Sequence, residues 1–306
     1  MLVIEQHRAL NRRSFLAASA TFVAVSCSGS ADSEPATDAP PDSLDPALRQ
    51  LGVRFPDGFG APTIFIAGTP IRAPFVPIES DGFPIRVGEP AEITMTVRFE
   101  DEVVFDEAVP KRRSGQSTPF YTLAFTPEEP GTYQISSSWS TTPRDFLVSD
   151  GSDVTLLQLG EKMPAIDTPT FDDARGVDPI CTLLPEPCPF HTQTLTEALS
   201  TGDRVALLIA TPQFCQTDVC GPVVELLVEA SADYPDIQIV HGEVYVSPFE
   251  NIPGTPDSTL TEVISTLNLD FEPSLYLVDE AGTVADVLHL AWDRTELRAV
   301  LEKFAS

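Results

Sequence analysis

Cys215-Gln216-Thr217-Asp218-Val219-Cys220-Gly221-Pro222 is the stretch on which the reading of the fold turns. It follows the apolar run Val205 to Ala210. It opens onto a segment, Val219 to Ala232, whose apolar positions Val223, Leu226, Leu227 and Ala230 share one helical face. Two thiols at a strand-to-helix turn lie where the positive end of a helix favours thiolate, the form of cysteine that does redox chemistry. A static structural disulfide fits the same spacing. Pro222 suits a first helical turn, and Thr217 or Asp218 is positioned to cap it. Cys215 then falls in the approach loop and is expected to attack, with Cys220 resolving. Asp218, between them, opposes thiolate formation.

Working outward, helical and strand patterns alternate. Thr194 to Leu199 predicts a short helix, Arg204 to Ala210 a buried strand, Ile237 to Val246 a strand and Thr259 to Leu267 a helix. Ser274 to Val278 and Val284 to Leu290 predict a hairpin around Asp279-Glu280-Ala281-Gly282. Arg294 to Phe304 reads as an amphipathic helix with Leu297, Val300, Leu301 and Phe304 inward.

This order, with Phe214-Cys215 to Cys220-Gly221-Pro222 and a later Phe271-Glu272-Pro273-Ser274-Leu275-Tyr276-Leu277, resembles the thioredoxin-like fold over roughly residues 152 to 306. The resemblance implies an α/β domain, a cis Glu272-Pro273 bond facing the cysteine turn, and a site formed by Cys215, Cys220 and Pro273. It implies thiol–disulfide exchange on exported proteins and no cofactor. An ordinary trans start to an edge strand is the plain alternative for Pro273. The chain also departs from that family. Four residues separate its cysteines where redox-active members have two, and Phe214 replaces the usual Trp. Ile209 stands where the family carries a buried acid, so no proton acceptor is evident in that place.

The remaining cysteines lie in two other settings. Cys181 and Cys188 sit in a Pro-rich loop, Pro179 to His191, which predicts a structural 181–188 disulfide. His191 beside them can tune a thiol or bind metal, although a lone loop histidine is usually polar surface. Cys27 ends Ala24-Val25-Ser26-Cys27, which resembles a bacterial lipobox. It follows a twin-arginine pattern, Arg12-Arg13-Ser14-Phe15-Leu16, and an apolar run too short to span a bilayer. The implied product is an exported protein, lipid-anchored through Cys27 on the extracytoplasmic face of the cell membrane.

Between leader and cysteine turn, residues 28 to 46 are small, acidic and Pro-rich, as in an extended tether. From about 50 to 150 short strands stand between turn signals: Ala91 to Phe99, Glu102 to Phe105, Tyr121 to Phe125, Thr132 to Ser136 and Asp145 to Val148. Ile93, Met95, Val97 and Phe99 alternate onto one face. The corner Pro130-Gly131-Thr132-Tyr133-Gln134-Ile135 resembles one found late in immunoglobulin-like domains. The expected organisation is a signal peptide at 1–26, an acidic linker at 27–48, an all-β immunoglobulin-like sandwich at 49–150 and an α/β thioredoxin-like domain at 151–306.

The chain carries 18 Lys and Arg against 46 Asp and Glu, a net charge of −28. The residues before Cys27 hold three Arg and one Glu, so the rest carries 15 basic against 45 acidic side chains, a net −30. Such a surface repels nucleic acid and anionic lipid headgroups, so nucleic acid is not an expected partner. Two further functional readings use the same residues. One is a non-enzymatic binding or scaffold module whose disulfides only stabilise it. The other is a copper or zinc carrier. Copper-handling relatives of thioredoxin have Cys-x3-Cys at this turn and a distant His; here the turn is Cys-x4-Cys, and Pro273 stands near the place of that His. His241 and His289 read as packed or surface positions on strands.

Overall fold

Strand β3 (Glu92–Phe99) has the alternation that half-buried strands require: Ile93, Met95 and Val97 are buried while Glu92 and Thr94 face solvent. It belongs to a computed structural model that describes residues 49–53, 64–85, 87–140, 142–215, 219–251 and 259–306. The leader, Cys27 and the acidic linker lie outside the described residues.

Around β3 stand β1 (Gln50–Val53), β2 (Ile71–Ile78), β4 (Glu102–Arg112), β5 (Phe120–Phe125), β6 (Gly131–Ser137) and β7 (Arg144–Val148). All seven strands join in one antiparallel sheet, ordered β1-β2-β5-β4-β3-β6-β7. The all-β, antiparallel character is as expected, but the sheet is continuous and nearly barrel-like. Strand β4 makes it so. It pairs with β3 from Glu102 to Pro110, and its last two residues, Lys111 and Arg112, pair with Tyr121 and Phe120 of β5. Leu51, Phe75, Tyr121 and Leu123 thereby meet Ile93, Met95, Ile135 and Phe146 in a single apolar core. At the β6 corner, Gly131 has φ of +149°, and a Cβ there would lie 2.7 Å from the Phe99 ring. The Tyr133 hydroxyl donates back to the Glu129 carbonyl at 2.8 Å.

The second half follows the predicted alternation. Helix α1 (Leu195–Ser200) starts at a capping box in which Thr194 and Glu197 satisfy each other's backbone N–H groups. Then come β8 (Arg204–Ile209), α2 (Cys220–Ser231), β9 (Ile237–Gly242), α3 (Glu262–Leu267), β10 (Ser274–Val278), β11 (Val284–His289) and α4 (Arg294–Ala305). The sheet order is β11-β10-β8-β9, with β8 parallel to β9 and β10 antiparallel to both β8 and β11. Ala206, Leu208, Leu275 and Leu277 point into a core with Leu226 and Leu227 of α2 and Leu297 and Leu301 of α4. Val205, Leu207, Ile209 and Tyr276 point the other way, onto Leu195 of α1 and Val263 and Leu267 of α3. A strand covered on both faces reads as an unbroken apolar run, which is why Val205 to Ile209 carries no polar residue.

The two sheets lie within one compact unit, Leu44–Ser306. The Arg72 guanidinium pairs with Glu296 and also donates to the His289 and Ala291 carbonyls. Gln116 Nε2 donates to the Trp292 carbonyl at 2.7 Å, and the Asp293 carboxylate accepts from the backbone N–H groups of Arg113 and Ser114. Among the described residues, no helix is long and apolar enough to cross a membrane.

Candidate functional site

The chain leaves the buried strand β8 through Ala210 and Thr211 and reaches Cys215 just before α2. Cys220 is the first residue of that helix and is fully buried, whereas Cys215 is only half-buried. The two are joined in a disulfide with Cα atoms 6.0 Å apart, inside the usual bridging range. Gln216, Thr217 and Asp218 lie outside the described residues, so the expected capping by Thr217 or Asp218 does too. The N-cap position is Val219, without a side-chain cap, and α2 has no acid in its first turn.

The Glu272-Pro273 bond is cis, and Pro273 leads directly into β10, its carbonyl accepting from Leu290 N at 2.8 Å. Register explains its position: Ser274 lies opposite Ile209, so the residues before β10 meet those following β8. Cys215, Cys220 and Pro273 are therefore brought to one place. With them comes a residue the sequence analysis missed. A Glu272 carboxylate oxygen and the sulfurs of Cys215 and Cys220 lie within 4.8 Å of one another. Burial pushes the Glu272 carboxyl up to about 8, against the opposing pull of the Thr211 N–H that donates to it. Where Ile209 offers no acid, Glu272 brings a carboxyl beside the same sulfurs from the residues leading into β10.

Thr211 links this group to a second polar cluster. Its N–H donates to the Glu272 carboxylate, and its hydroxyl accepts from Val244 N at 2.8 Å, next to Glu243. Glu243 accepts from Thr182 N at 2.6 Å and from Thr182 Oγ1 at 3.1 Å, and burial pushes its carboxyl up to about 7. Beyond it, Cys181, Cys188, His191 and His241 are all buried, with one ligand atom of each within 4.8 Å of the others. Cys181 and Cys188 are free thiols, which corrects the expected 181–188 disulfide. The loop between them turns both sulfurs toward His241 Nδ1, at 3.9 Å and 3.2 Å.

His241 is packed on its strand, as expected, and it stands at the centre of this cluster. Its Nδ1 lies 3.1 Å from His191 Nε2, and its Nε2 lies 2.9 Å from the Ala210 carbonyl. The Cys188 thiol hydrogen-bonds to Cys181, so the Cys181 thiol is driven down while Cys188 keeps its proton. Burial depresses His191. Burial also opposes charge on His241, but the Cys181 sulfur and the Glu243 carboxylate outweigh it and raise its pKa. His289 is packed as expected: it meets Ser274 Oγ at 3.0 Å, and burial pushes it down to about 3.

A cavity of about 350 Å³ lies elsewhere, lined by Arg72, Arg112, Leu156, His289 and Glu296 among others. None of the cysteine, histidine or acidic residues of the two clusters lines it.

No family model matches the chain, and no curated protein matches it at a significant level. Among solved structures, a metagenome-derived family 9 endoglucanase is similar over 48% of this chain and 27% of its own, at 16% identity and a TM-score of 0.25. A proposed glycoside hydrolase from Bacteroides vulgatus ATCC 8482 is similar over 45% of this chain and 26% of its own, at 16% identity and a TM-score of 0.21. The chain thus spans about a quarter of the length of those structures. Likeness this slight speaks for neither fold nor chemistry.

Proposed function

We propose that the second half of the chain is a thioredoxin-like domain that exchanges thiols and disulfides with exported proteins. The carrying observation is one cluster: a Cys215–Cys220 disulfide at the start of α2, beside the cis-peptide Pro273, with half-buried Glu272 against both sulfurs. The order β11-β10-β8-β9, with a parallel β8–β9 pair and helices on both faces, supports the same reading. The Tyr133-to-Glu129 corner supports an immunoglobulin-like first half, which on this reading is a spacer. The leader and Cys27 would hold the protein by a lipid anchor on the extracytoplasmic face of the cell membrane.

The exchange runs as follows. A substrate thiolate attacks Sγ of Cys215, the more accessible sulfur, forming a mixed disulfide as the Cys215–Cys220 bond breaks. The electron pair of that bond leaves on Cys220. Cys220 takes the proton that Glu272 holds, and the helix terminus stabilises the sulfur until it arrives. A second substrate thiolate then attacks the substrate sulfur of the mixed disulfide and releases Cys215 as a thiolate. Two electrons pass to the protein and the substrate dithiol becomes a disulfide. In the reverse direction Cys215 attacks, and the Glu272 carboxylate removes the Cys220 proton. Pro273 lines the groove in which the substrate backbone lies. Phe214 and Phe249 meet edge to face at 4.9 Å next to Cys215, and Phe249 is 65% exposed, an apolar lip for that substrate.

Reduction of a model protein disulfide, followed with wild-type and Cys215→Ser chains, tests this. Wild-type rates in Cys215→Ser would overturn the proposal. A Cys215–Cys220 potential well below about −300 mV, with the native bond inert to thiols, would favour the scaffold reading instead.

A further inference from the structure

Four side chains with soft or borderline donors converge in the core without a covalent bond among them. Cys181, Cys188 and His191 come from one loop, in a Cys-x6-Cys-x2-His spacing, and His241 comes from β9. Prolines shape that loop, with cis bonds at Asp178-Pro179 and Leu184-Pro185. Its end is fastened to the strand that supplies the fourth residue, because His241 N donates to the Phe190 carbonyl at 3.0 Å.

The distances match a tetrahedral ion. A zinc ion bound at about 2.3 Å to sulfur and about 2.0–2.1 Å to nitrogen sets N···N edges near 3.3 Å and S···N edges near 3.6 Å. The corresponding separations are 3.1 Å for His241 Nδ1 to His191 Nε2, and 3.2 Å and 3.9 Å from His241 Nδ1 to the two sulfurs. The outer contacts are those of metal ligands. His241 Nε2 donates to the Ala210 carbonyl, which leaves the Nδ1 lone pair facing inward. The Cys188 N–H donates to Cys181 Sγ at 3.4 Å, as a thiolate ligand favours. His191 Nδ1 faces the Pro169 backbone, although no hydrogen bond of normal geometry closes there.

Charge and donor count then choose the ion. Two thiolates and two neutral imidazoles cancel the charge of a divalent cation, so the filled site is neutral and can remain buried. Four protein donors close the coordination sphere, the form of a structural rather than a catalytic site.

We propose that Cys181, Cys188, His191 and His241 form a closed structural Zn²⁺ site that braces the redox turn. The brace runs through Thr182, next to Cys181. Gln213 Nε2 donates to the Thr182 carbonyl at 2.9 Å, two residues before Cys215. Zinc binding fixes the loop and, through Gln213, the approach to the reactive sulfur. It displaces whatever protons the four ligand atoms hold and involves no change of oxidation state.

The test is metal analysis of the full chain, reduced, reconstituted with Zn²⁺ and freed of excess ion. The expected content is about one Zn²⁺ per chain, unchanged in a Cys215→Ser/Cys220→Ser double variant. His191→Ala and Cys188→Ser should bind Zn²⁺ at least about tenfold more weakly against a chromophoric chelator. Co²⁺-substituted wild-type protein answers the same question even where those variants fail to fold. Its spectrum should carry the intense visible bands and sulfur charge transfer of a tetrahedral thiolate–imidazole site. Substoichiometric Zn²⁺ in the wild type, zinc lost with the turn cysteines but retained in Cys188→Ser, or an octahedral Co²⁺ spectrum would each overturn the proposal. So would a Cys181–Cys188 disulfide mapped in the native protein.

Discussion

The two cysteine pairs of the α/β half have nearly the same spacing and opposite fates. Cys215 and Cys220 bond to each other, one half-buried and one at a helix start. Cys181 and Cys188, two residues further apart, are both buried and aim at imidazoles instead. Spacing does not separate them; their surroundings do. The first pair has a helix terminus, a cis-proline and one half-buried acid, which suit a sulfur that must gain and lose charge. The second has two histidines and a polar lattice through Thr182 and Glu243, which suits sulfurs that hold a fixed charge against a cation.

Exchange of roles between the pairs would break this contrast. The largest expected effect is on exchange: Cys215→Ser should slow turnover of a model disulfide by at least about a hundredfold, since the other cysteines among the described residues are buried. Cys181→Ser should slow exchange far less in whatever fraction stays folded, since it loosens the approach to Cys215 but leaves the reacting sulfurs in place, a split read by normalising rate to folded protein. Stability should show the reverse order. Stripping zinc from the reduced chain should lower stability by about 4 kcal/mol where free Zn²⁺ had stood about a thousandfold above Kd, roughly 10 °C in Tm by calorimetry. Reduction of Cys215–Cys220 alone opens a loop of only a few residues and should cost less, on the order of 2 kcal/mol.

Much of the first pair was legible in the chain. The turn, its helix and Pro273 all follow from local pattern, because each is set by near neighbours in sequence. Glu272 was not legible as a proton carrier, since it reaches the sulfurs only through the β10–β8 register that sets Ser274 against Ile209. The second pair failed for the same reason. His241 lies 50 residues beyond His191 and meets it because β9 runs parallel to β8 and the loop bonds back onto it. A period-two strand pattern marks His241 as inward but says nothing of what waits there. Strand β2 was not among the strands expected, and it carries Pro74 and Pro77, which sit opposite Thr122 and Leu51 within the sheet.

The next sharpening concerns the acid. Glu272→Gln should slow exchange by about a hundredfold, the ordinary worth of a positioned proton carrier, and should remove an inflection of the rate near pH 8. A stopped-flow pH profile of the variant that still turns near 8 would remove Glu272 from the reaction. Stability supplies an independent reading. Burial raises this carboxyl from 4.5 in the unfolded chain to about 8 when folded, so between those values the folded state binds more protons than the unfolded. Its contribution is therefore fully present below about pH 4.5 and lost as pH rises through 8. The full span is on the order of 3–5 kcal/mol. Glu243, pushed to about 7, adds a slope of the same sign, so Glu272→Gln should flatten the decline without abolishing it.

The smallest expected effect lies at the rim of the turn. Phe249→Ala removes the exposed half of the edge-to-face pair with Phe214 and leaves the sulfurs and the carboxyl themselves unaltered. An aromatic contact of this kind is worth about 0.5–1.5 kcal/mol, so binding of a folded protein substrate should weaken by roughly 2- to 10-fold. Reduction by a small thiol, which has no backbone or apolar side chain to lay against the lip, should proceed unchanged. If the small thiol slows as much as the protein, Phe249 acts by holding the turn rather than by meeting the substrate. The apolar lip would then belong to the packing of the first cysteine pair.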